Sequence, residues 1–271
     1  MPTKYTDVKG HATYYHYHGA TTLPDVVPDF SKGKKIVFVH GAGGNGHSWH
    51  NQIDELAGNH SPVALDLPGH GRSAGVEGLK SIGDYADFLA HFMDTLQMKS
   101  AVIAGWSMGG AIAMDFALRY PARTEALILV ATAAKFAIPE DRVKQLWAVM
   151  MGRAPQAFLK DGFSRKTVTE NMNVVYEMWG EQIKTDPRVR YTDIVACKEV
   201  DLTGAISAID KPTAIFAGAE DVLTTPKDSE AIRDRIKNSS LEVVADAGHM
   251  IPVEQSAALN ASVGKFLGQL K

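Results

Sequence analysis

The chain has 271 residues and a mass of 29.3 kDa, enough to bury a sizeable core as one large α/β domain or as one domain carrying an insertion. Apolar residues at 45% and charged residues at 22% match ordinary globular usage, which excludes disorder and low-complexity repetition. Lys and Arg number 28 against 31 Asp and Glu, a net charge of -3 without the basic excess that a nucleic-acid partner calls for.

The one cysteine, Cys197, can form neither an intramolecular disulfide nor a thiolate metal site, which suits a reducing cytoplasm. No apolar stretch follows the basic residues of the N-terminal MPTKYTDVKGH. The longest apolar run, Ala126 to Ala131, is far below the roughly 18 residues of a membrane span. Neither a signal peptide nor a membrane partner is expected.

In chain order, the aromatic-rich His11 to Tyr17 reads as antiparallel edge strand. Six short aliphatic or β-branched runs follow: Ile36 to Val39, Pro62 to Leu65, Ala101 to Ala104, Ala126 to Val130, Thr213 to Ala217 and Leu241 to Val244. They read as fully buried strands, and their spacing leaves room for crossover helices, so the fold class is α/β with a largely parallel sheet. One helix follows Ser107, with Ile112 and Phe116 inward, and stops at Tyr120-Pro121. Thr225-Pro226 opens another, with Ile232 and Ile236 inward. The last follows Pro252, with Leu259, Val263, Phe266 and Leu270 on one stripe.

The interval from Ala131 to Thr213 is far longer than the usual connection of roughly 2 to 6 residues. Its Trp147, Met150, Met151, Phe158, Phe163, Met172, Tyr176, Met178 and Trp179 read as apolar faces of several short helices. A helical cap is therefore placed at 134–204, with the core at 1–133 and 205–271. The bland alternative is that these side chains only hold the cap together.

Gly41-Ala42-Gly43-Gly44-Asn45-Gly46 satisfies G-x-G-x-x-G after a strand, and Asp66 follows 20 residues later, as in a dinucleotide fingerprint. Against that reading stand His40 directly before the loop, the continuation Asp66-Leu67-Pro68-Gly69-His70-Gly71-Arg72-Ser73, and the lack of a Tyr-x-x-x-Lys pair.

A second motif explains the loop better. Gly105-Trp106-Ser107-Met108-Gly109-Gly110 lies between a strand and a helix, where a nucleophile elbow belongs. Small flanking residues let a strained turn project the serine hydroxyl, and the helix dipole adds positive potential beside it. A serine hydroxyl needs a base, and the base needs an orienting acid. His249 and Asp221 both lie just past strand ends; Glu220 competes with Asp221, which sits deeper in its turn. His16 with His18, or His47 with His50, could pair on a metal, but neither pair has a clear third ligand in sequence, and surface histidines explain them more simply. His70 and Arg72 read as shaping a loop, and Cys197 as cap packing.

Together His40-Gly41-Ala42-Gly43-Gly44, the Asp66 to Ser73 segment, the elbow, Asp221 and Ala247-Gly248-His249 resemble the α/β-hydrolase superfamily. The resemblance implies an eight-stranded, mostly parallel sheet with a cap over the site. It also implies an oxyanion hole from the backbone N–H groups of Met108 and Ala42, with Gly43 as the fallback.

A serine nucleophile argues against the dehalogenases and epoxide hydrolases of that superfamily, which use Asp at the elbow. The expected activity is hydrolysis of a small carboxylic ester, or a lactone, through an acyl-enzyme, without cofactor or metal. Trp106, Met108, Gly41, Gly43, Trp147, Met150, Trp179 and Met250 are the expected pocket residues, suited to an apolar acyl or aryl group. Carbon–carbon cleavage of the meta-cleavage type is the alternative, although those enzymes usually carry Asn where this chain has Trp106. A cofactor-free perhydrolase is weaker, because Ala42 stands where Trp is usual. A ligand receptor on a hydrolase fold is the alternative of another class.

Overall fold

The computed structural model describes residues 3–20, 23, 26–156 and 160–270. Its eight strands are β1 (Thr3–Val8), β2 (His11–Tyr17), β3 (Lys35–Val39), β4 (Ser61–Leu65), β5 (Ala101–Trp106), β6 (Thr124–Val130), β7 (Thr213–Gly218) and β8 (Ser239–Val244). They form one sheet in the order β1-β2-β4-β3-β5-β6-β7-β8. β3 to β8 run parallel, while β1 and β2 form an antiparallel hairpin whose second strand pairs antiparallel with β4.

The pleat explains why the apolar runs are unbroken. On β3, Val37 and Val39 join one core layer and Ile36 and Phe38 the other; Leu127 and Leu129 oppose Ile128 and Val130 on β6 in the same way. Helices α2 (Ile82–Thr95) and α3 (Met108–Arg119) supply residues to the first layer. α1 (His50–Leu56) and α10 (Ser256–Gln269) supply the second. A strand covered on both faces has no reason to alternate with polar residues.

β8 departs from the expectation of a fully buried strand. It is the sheet's edge, and both Glu242 and Val243 are exposed. Two helices also differ in detail. α8 (Pro226–Arg233) ends before Ile236, which is buried just beyond it. The C-terminal helix is broken at Gln255, into α9 (Ile251–Glu254) and α10, and Leu267 rather than Phe266 or Leu270 completes the buried stripe.

Between β6 and β7 the chain builds α4 (Glu140–Met150), α5 (Arg165–Glu170), α6 (Met172–Gln182) and α7 (Pro187–Glu199). Phe158 lies outside the described residues. α7 starts on Asp186, whose carboxylate accepts the Arg188 N–H, with Pro187 in the first turn. Its buried stripe is unusual, because Arg190 and Asp193 stand in it beside Val189, Ala196 and Cys197. No helix among the described residues is long and apolar enough to cross a membrane.

Candidate active site

Three loops at the carboxyl ends of β5, β7 and β8 meet at one point. Ser107, directly after β5, has φ 56° and ψ -120°, a strained conformation for a residue with a side chain. The turn is held from both sides: Ser107 N–H donates to the Val130 carbonyl at 3.0 Å, and the Thr132 hydroxyl donates to the Ser107 carbonyl at 2.6 Å. Gly109 is required by crowding, since a Cβ there would lie 2.2 Å from the Val39 carbonyl oxygen.

His249, five residues past β8, places Nε2 2.9 Å from Ser107 Oγ and Nδ1 2.8 Å from Asp221 Oδ2. Asp221 is buried, and its other oxygen accepts the backbone N–H groups of Leu223 and Thr224 at 2.8 and 3.0 Å. Burial alone would raise this carboxyl, but the neighbouring His249 and the hydrogen bonds outweigh it and keep it below the ordinary range. Glu220 is exposed and turned away, accepting the Arg165 N–H at 2.8 Å.

Sequence reasoning missed the braces of this loop. The Thr224 hydroxyl donates to Asp221 Oδ2 at 2.9 Å and lies 3.2 Å from His249 Nδ1. Trp106 Nε1 donates to the His249 carbonyl at 2.7 Å. Glu254 accepts the N–H groups of Gly248 and Met250, both at 3.0 Å, on one oxygen and the Ser164 N–H at 2.7 Å on the other.

The glycine loop approaches from the other side. A Cβ on Gly41 would sit 3.1 Å from Ser107 Cβ. The Gly41 carbonyl is held by His40 Nδ1 at 2.8 Å and by the Gly44 N–H at 3.0 Å. Across a trans peptide the Ala42 N–H therefore points the opposite way. Met108 opens α3, so its N–H has no intrahelical acceptor. Gly43, the expected fallback donor, is not available: its N–H donates to Asp193 Oδ2 at 2.8 Å. The Met108 side chain lies in the core, away from the cavity.

Asp193 also receives His70 Nε2 at 2.7 Å and the Tyr85 hydroxyl at 2.6 Å. His70 Nδ1 meets the Pro68 carbonyl at 3.1 Å, so both ring nitrogens face acceptors, an arrangement that favours the protonated ring. Burial would lower His70, but the Asp193 charge outweighs that and holds it above the ordinary range. His40, 4.7 Å away between ring centroids, is pushed down to about 3 by burial and by His70. Its Nε2 accepts the Leu67 N–H at 3.1 Å.

Asp66 has no free oxygen for a ribose. It accepts the N–H groups of Gly46 and Arg72 at 2.8 and 2.9 Å and lies 3.2 Å from His16 Nε2, fastening the two loops named by the dinucleotide pattern to each other.

Ser107 and His249 open into a cavity of about 430 Å³, a size that suits a small ligand. Gly41, Ala42, Trp106 and Met250 line it as expected; Gly43, Trp147, Met150 and Trp179 do not. The helix faces explain the misses. α4 turns Arg142 to the cavity and buries Leu146, leaving Trp147 39% exposed with Arg153 stacked 4.9 Å from its ring centroid. On α6 it is Met178, one residue before Trp179, that reaches the cavity. Phe136, Ile138, Phe163, Ile194 and Leu223 add apolar wall. Polar wall comes from Arg142, Glu181, Gln182 and Arg190, none of them among the expected pocket residues.

A profile describing the α/β hydrolase fold matches residues 34–256, spanning both sides of the insertion. The chain belongs to the α/β-hydrolase fold family. It is similar to a pimeloyl-[acyl-carrier protein] methyl ester esterase of Neisseria meningitidis, with 28% identity over 91% of this chain and 95% of that one. A 3-oxoadipate enol-lactonase 2 of Acinetobacter baylyi is 26% identical over 92% and 96% of the two chains. Among solved structures, the enol-lactonase from Burkholderia xenovorans superimposes with a TM-score of 0.85 at 23% identity, over 98% of this chain and all of that one, a likeness of fold. Family and relatives together make this chain an esterase-like hydrolase.

Elsewhere in this hydrolase, the structure supplies what the His47 and His50 pair lacked in sequence. Glu177 of α6 brings Oε1 to 3.3 Å from His47 Nε2, and the three groups offer ligand atoms within 4.8 Å of one another. The His50 Nδ1 is already 2.9 Å from the His47 carbonyl. His16 is bonded to Asp66 instead of any metal partner, and His18 faces Asp54 at 3.4 Å. Cys197 is buried against the cavity, and burial pushes its thiol well above the ordinary range, so it stays protonated.

Proposed function

We propose that the chain is a serine hydrolase of small carboxylic esters and lactones, acting through an acyl-enzyme, with residues 134–204 as a cap over the site. The observation that carries this reading is the continuous relay from Asp221 through His249 to Ser107 Oγ, with contacts of 2.8 and 2.9 Å, opening into the cavity. Ser107 Oγ attacks the substrate carbonyl carbon while His249 Nε2 takes its proton. The carbonyl π pair moves to oxygen, which the N–H groups of Ala42 and Met108 stabilise. Collapse expels the alcohol, protonated by His249. Water, activated by the same imidazole, then attacks the acyl-enzyme, and the acid leaves as Ser107 regains its proton. Asp221 keeps Nδ1 protonated and offsets the charge that develops on the ring.

The enol-lactonase relative supports lactones as substrates beside open esters, since the same attack opens a ring without losing the alcohol. The test is turnover of short p-nitrophenyl esters and simple lactones by purified protein, with Ser107→Ala as control. A loss of at least about a thousandfold is expected. Retention of most activity in Ser107→Ala, or an absence of any covalent acyl adduct by intact mass, would overturn the mechanism.

A further inference from the structure

The cavity wall contains two arginines that no part of the mechanism above uses. Arg190, on the buried stripe of α7, is 6% exposed, and Arg142 of α4 is half-buried; both line the cavity that holds Ser107 and His249. Their partners are neutral. Arg142 Nη1 donates to Gln145 Oε1 at 2.8 Å. With the Gln182 amide turned so that its oxygen faces the guanidinium, Arg190 Nη1 and Nη2 donate to it at 3.2 and 2.9 Å.

Neither arginine forms an ion pair with a described residue, and the two nearby acids are already committed. Asp193 serves Gly43, His70 and Tyr85, while Glu181 pairs with Lys184 and accepts from Asn45 at 3.1 Å. Burial and the neighbouring Arg142, against the opposing pull of Asp193, push Arg190 down to about 10, which leaves it charged at neutral pH. Two cations are thus held together in a partly dry wall whose carboxylates, Asp193 and Glu181, are already bound to other donors. That arrangement costs free energy unless a ligand supplies the opposite charge.

Packing does not account for them. The Arg190 stem fills the space beside Gly43, with Cγ 3.0 Å from where a Cβ would lie, but an apolar side chain would fill that space without a buried charge. A planar, fork-shaped donor matches a carboxylate, and Glu181 in the same wall weighs against a dianionic phosphate.

We propose that Arg142 and Arg190 form a carboxylate subsite, so that the substrate is an ester or lactone bearing a second, free carboxylate, such as the half-ester of a dicarboxylic acid. The proposal rests on Ser107 being the nucleophile of that cavity for its catalytic meaning, and on the arginines alone for binding.

The experiment has two arms. In the first, kcat/KM is measured for monomethyl and dimethyl esters of succinic, glutaric and adipic acids with wild type, Arg142→Gln, Arg142→Lys and Arg190→Gln. The wild type favours the half-esters, and the ratio of half-ester to diester falls at least about tenfold in the Gln variants, with partial recovery in Arg142→Lys. Arg142 is half-buried, so its variants keep the test open if Arg190→Gln does not fold. In the second arm, the three free dicarboxylates are titrated calorimetrically into Ser107→Ala protein with and without Arg142→Gln. Binding that Arg142→Gln weakens at least about tenfold supports the subsite even if no ester is turned over, an outcome that removes the esterase reading alone. Turnover of diesters and half-esters at equal kcat/KM, or a ratio unchanged in folded arginine variants, overturns the subsite and leaves the esterase reading standing.

Discussion

Asp193 accepts the backbone N–H of Gly43 at 2.8 Å, so a helix of the insertion holds the loop that carries the Ala42 N–H. The same carboxylate receives His70 and Tyr85, and it is fully buried. An amide keeps an oxygen for Gly43 and His70 only by turning its NH2 to the Tyr85 hydroxyl, which then loses its acceptor, and it carries no charge to offset His70. Asp193→Asn is therefore expected to destabilise the fold by about 3–5 kcal/mol, the scale for uncovering a buried charge such as His70. Turnover should fall with the misplaced loop. Urea denaturation and ester kinetics measure the two effects; a stability loss under about 1 kcal/mol would show that the tie is not what holds the loop.

The adjacent rings of His40 and His70 oppose each other in pH dependence. His40 is held near 3 in the fold against an ordinary 6.5, so the unfolded chain binds the extra proton, and stability falls as pH drops below about 6.5, at up to about 1.4 kcal/mol per pH unit. His70 is raised, so its contribution is present in full below about 6.5 and is lost as pH climbs through its folded value. Asp193 is lowered despite burial, because His70 and its hydrogen bonds outweigh it; its contribution is present above the ordinary carboxyl value and lost as pH falls through the folded one. Urea midpoints from pH 4 to 9 should show His40→Asn flattening the acid limb and His70→Gln flattening the alkaline limb. Parallel curves for wild type and both variants would contradict the assignment.

Glu254 joins the His249 loop to the start of α5 through four accepted hydrogen bonds, from Gly248, Met250, Ser164 and the Thr167 hydroxyl. Glu254→Gln puts an NH2 group against backbone N–H donors on one side. The expected result is a fall in kcat of about 10- to 100-fold, a scale at which second contacts commonly matter, with a smaller change in KM. Stopped-flow or steady-state ester kinetics will show it, and an equal rise in KM with kcat unchanged would assign Glu254 to binding instead.

The parts legible in the sequence share a physical cause. Strands buried on both faces must be apolar throughout, so β3 to β7 announce themselves, and Ser107, Asp221 and His249 stand at strand ends where turn chemistry is local. The apolar run of β8 gives no sign of lying at the edge, so its exposure is not legible in the sequence. The cap is harder. Which face of α4 or α6 meets the cavity depends on how the helices dock, so nothing local tells that Trp147 and Trp179 point away from it and that Arg142 lines it. Asp193 acts on Gly43, 150 positions away, and Glu254 ties its own loop to Ser164, 90 positions away, links beyond any local pattern. One signal was available: on α7, Arg190 and Asp193 occupy the stripe marked by Val189, Ala196 and Cys197, and charges on an apolar stripe need a reason.

Trp106 is the elbow position at which this chain departs from the meta-cleavage pattern. Its indole N–H donates to the His249 carbonyl at 2.7 Å, while its ring lines the cavity 5.7 Å from the imidazole centroid. Trp106→Phe keeps an aromatic wall but leaves that buried carbonyl without its donor, at a cost of about 1–3 kcal/mol. The His249 ring then loses one of the contacts that fix its distance to Ser107, and kcat should drop about tenfold while KM for small esters changes less. Thermal denaturation paired with kcat and KM on the same preparation checks both halves. A variant as stable and as fast as wild type would mean that Glu254 and the Gly162 carbonyl, which accepts the His249 N–H at 2.8 Å, position the imidazole without the indole.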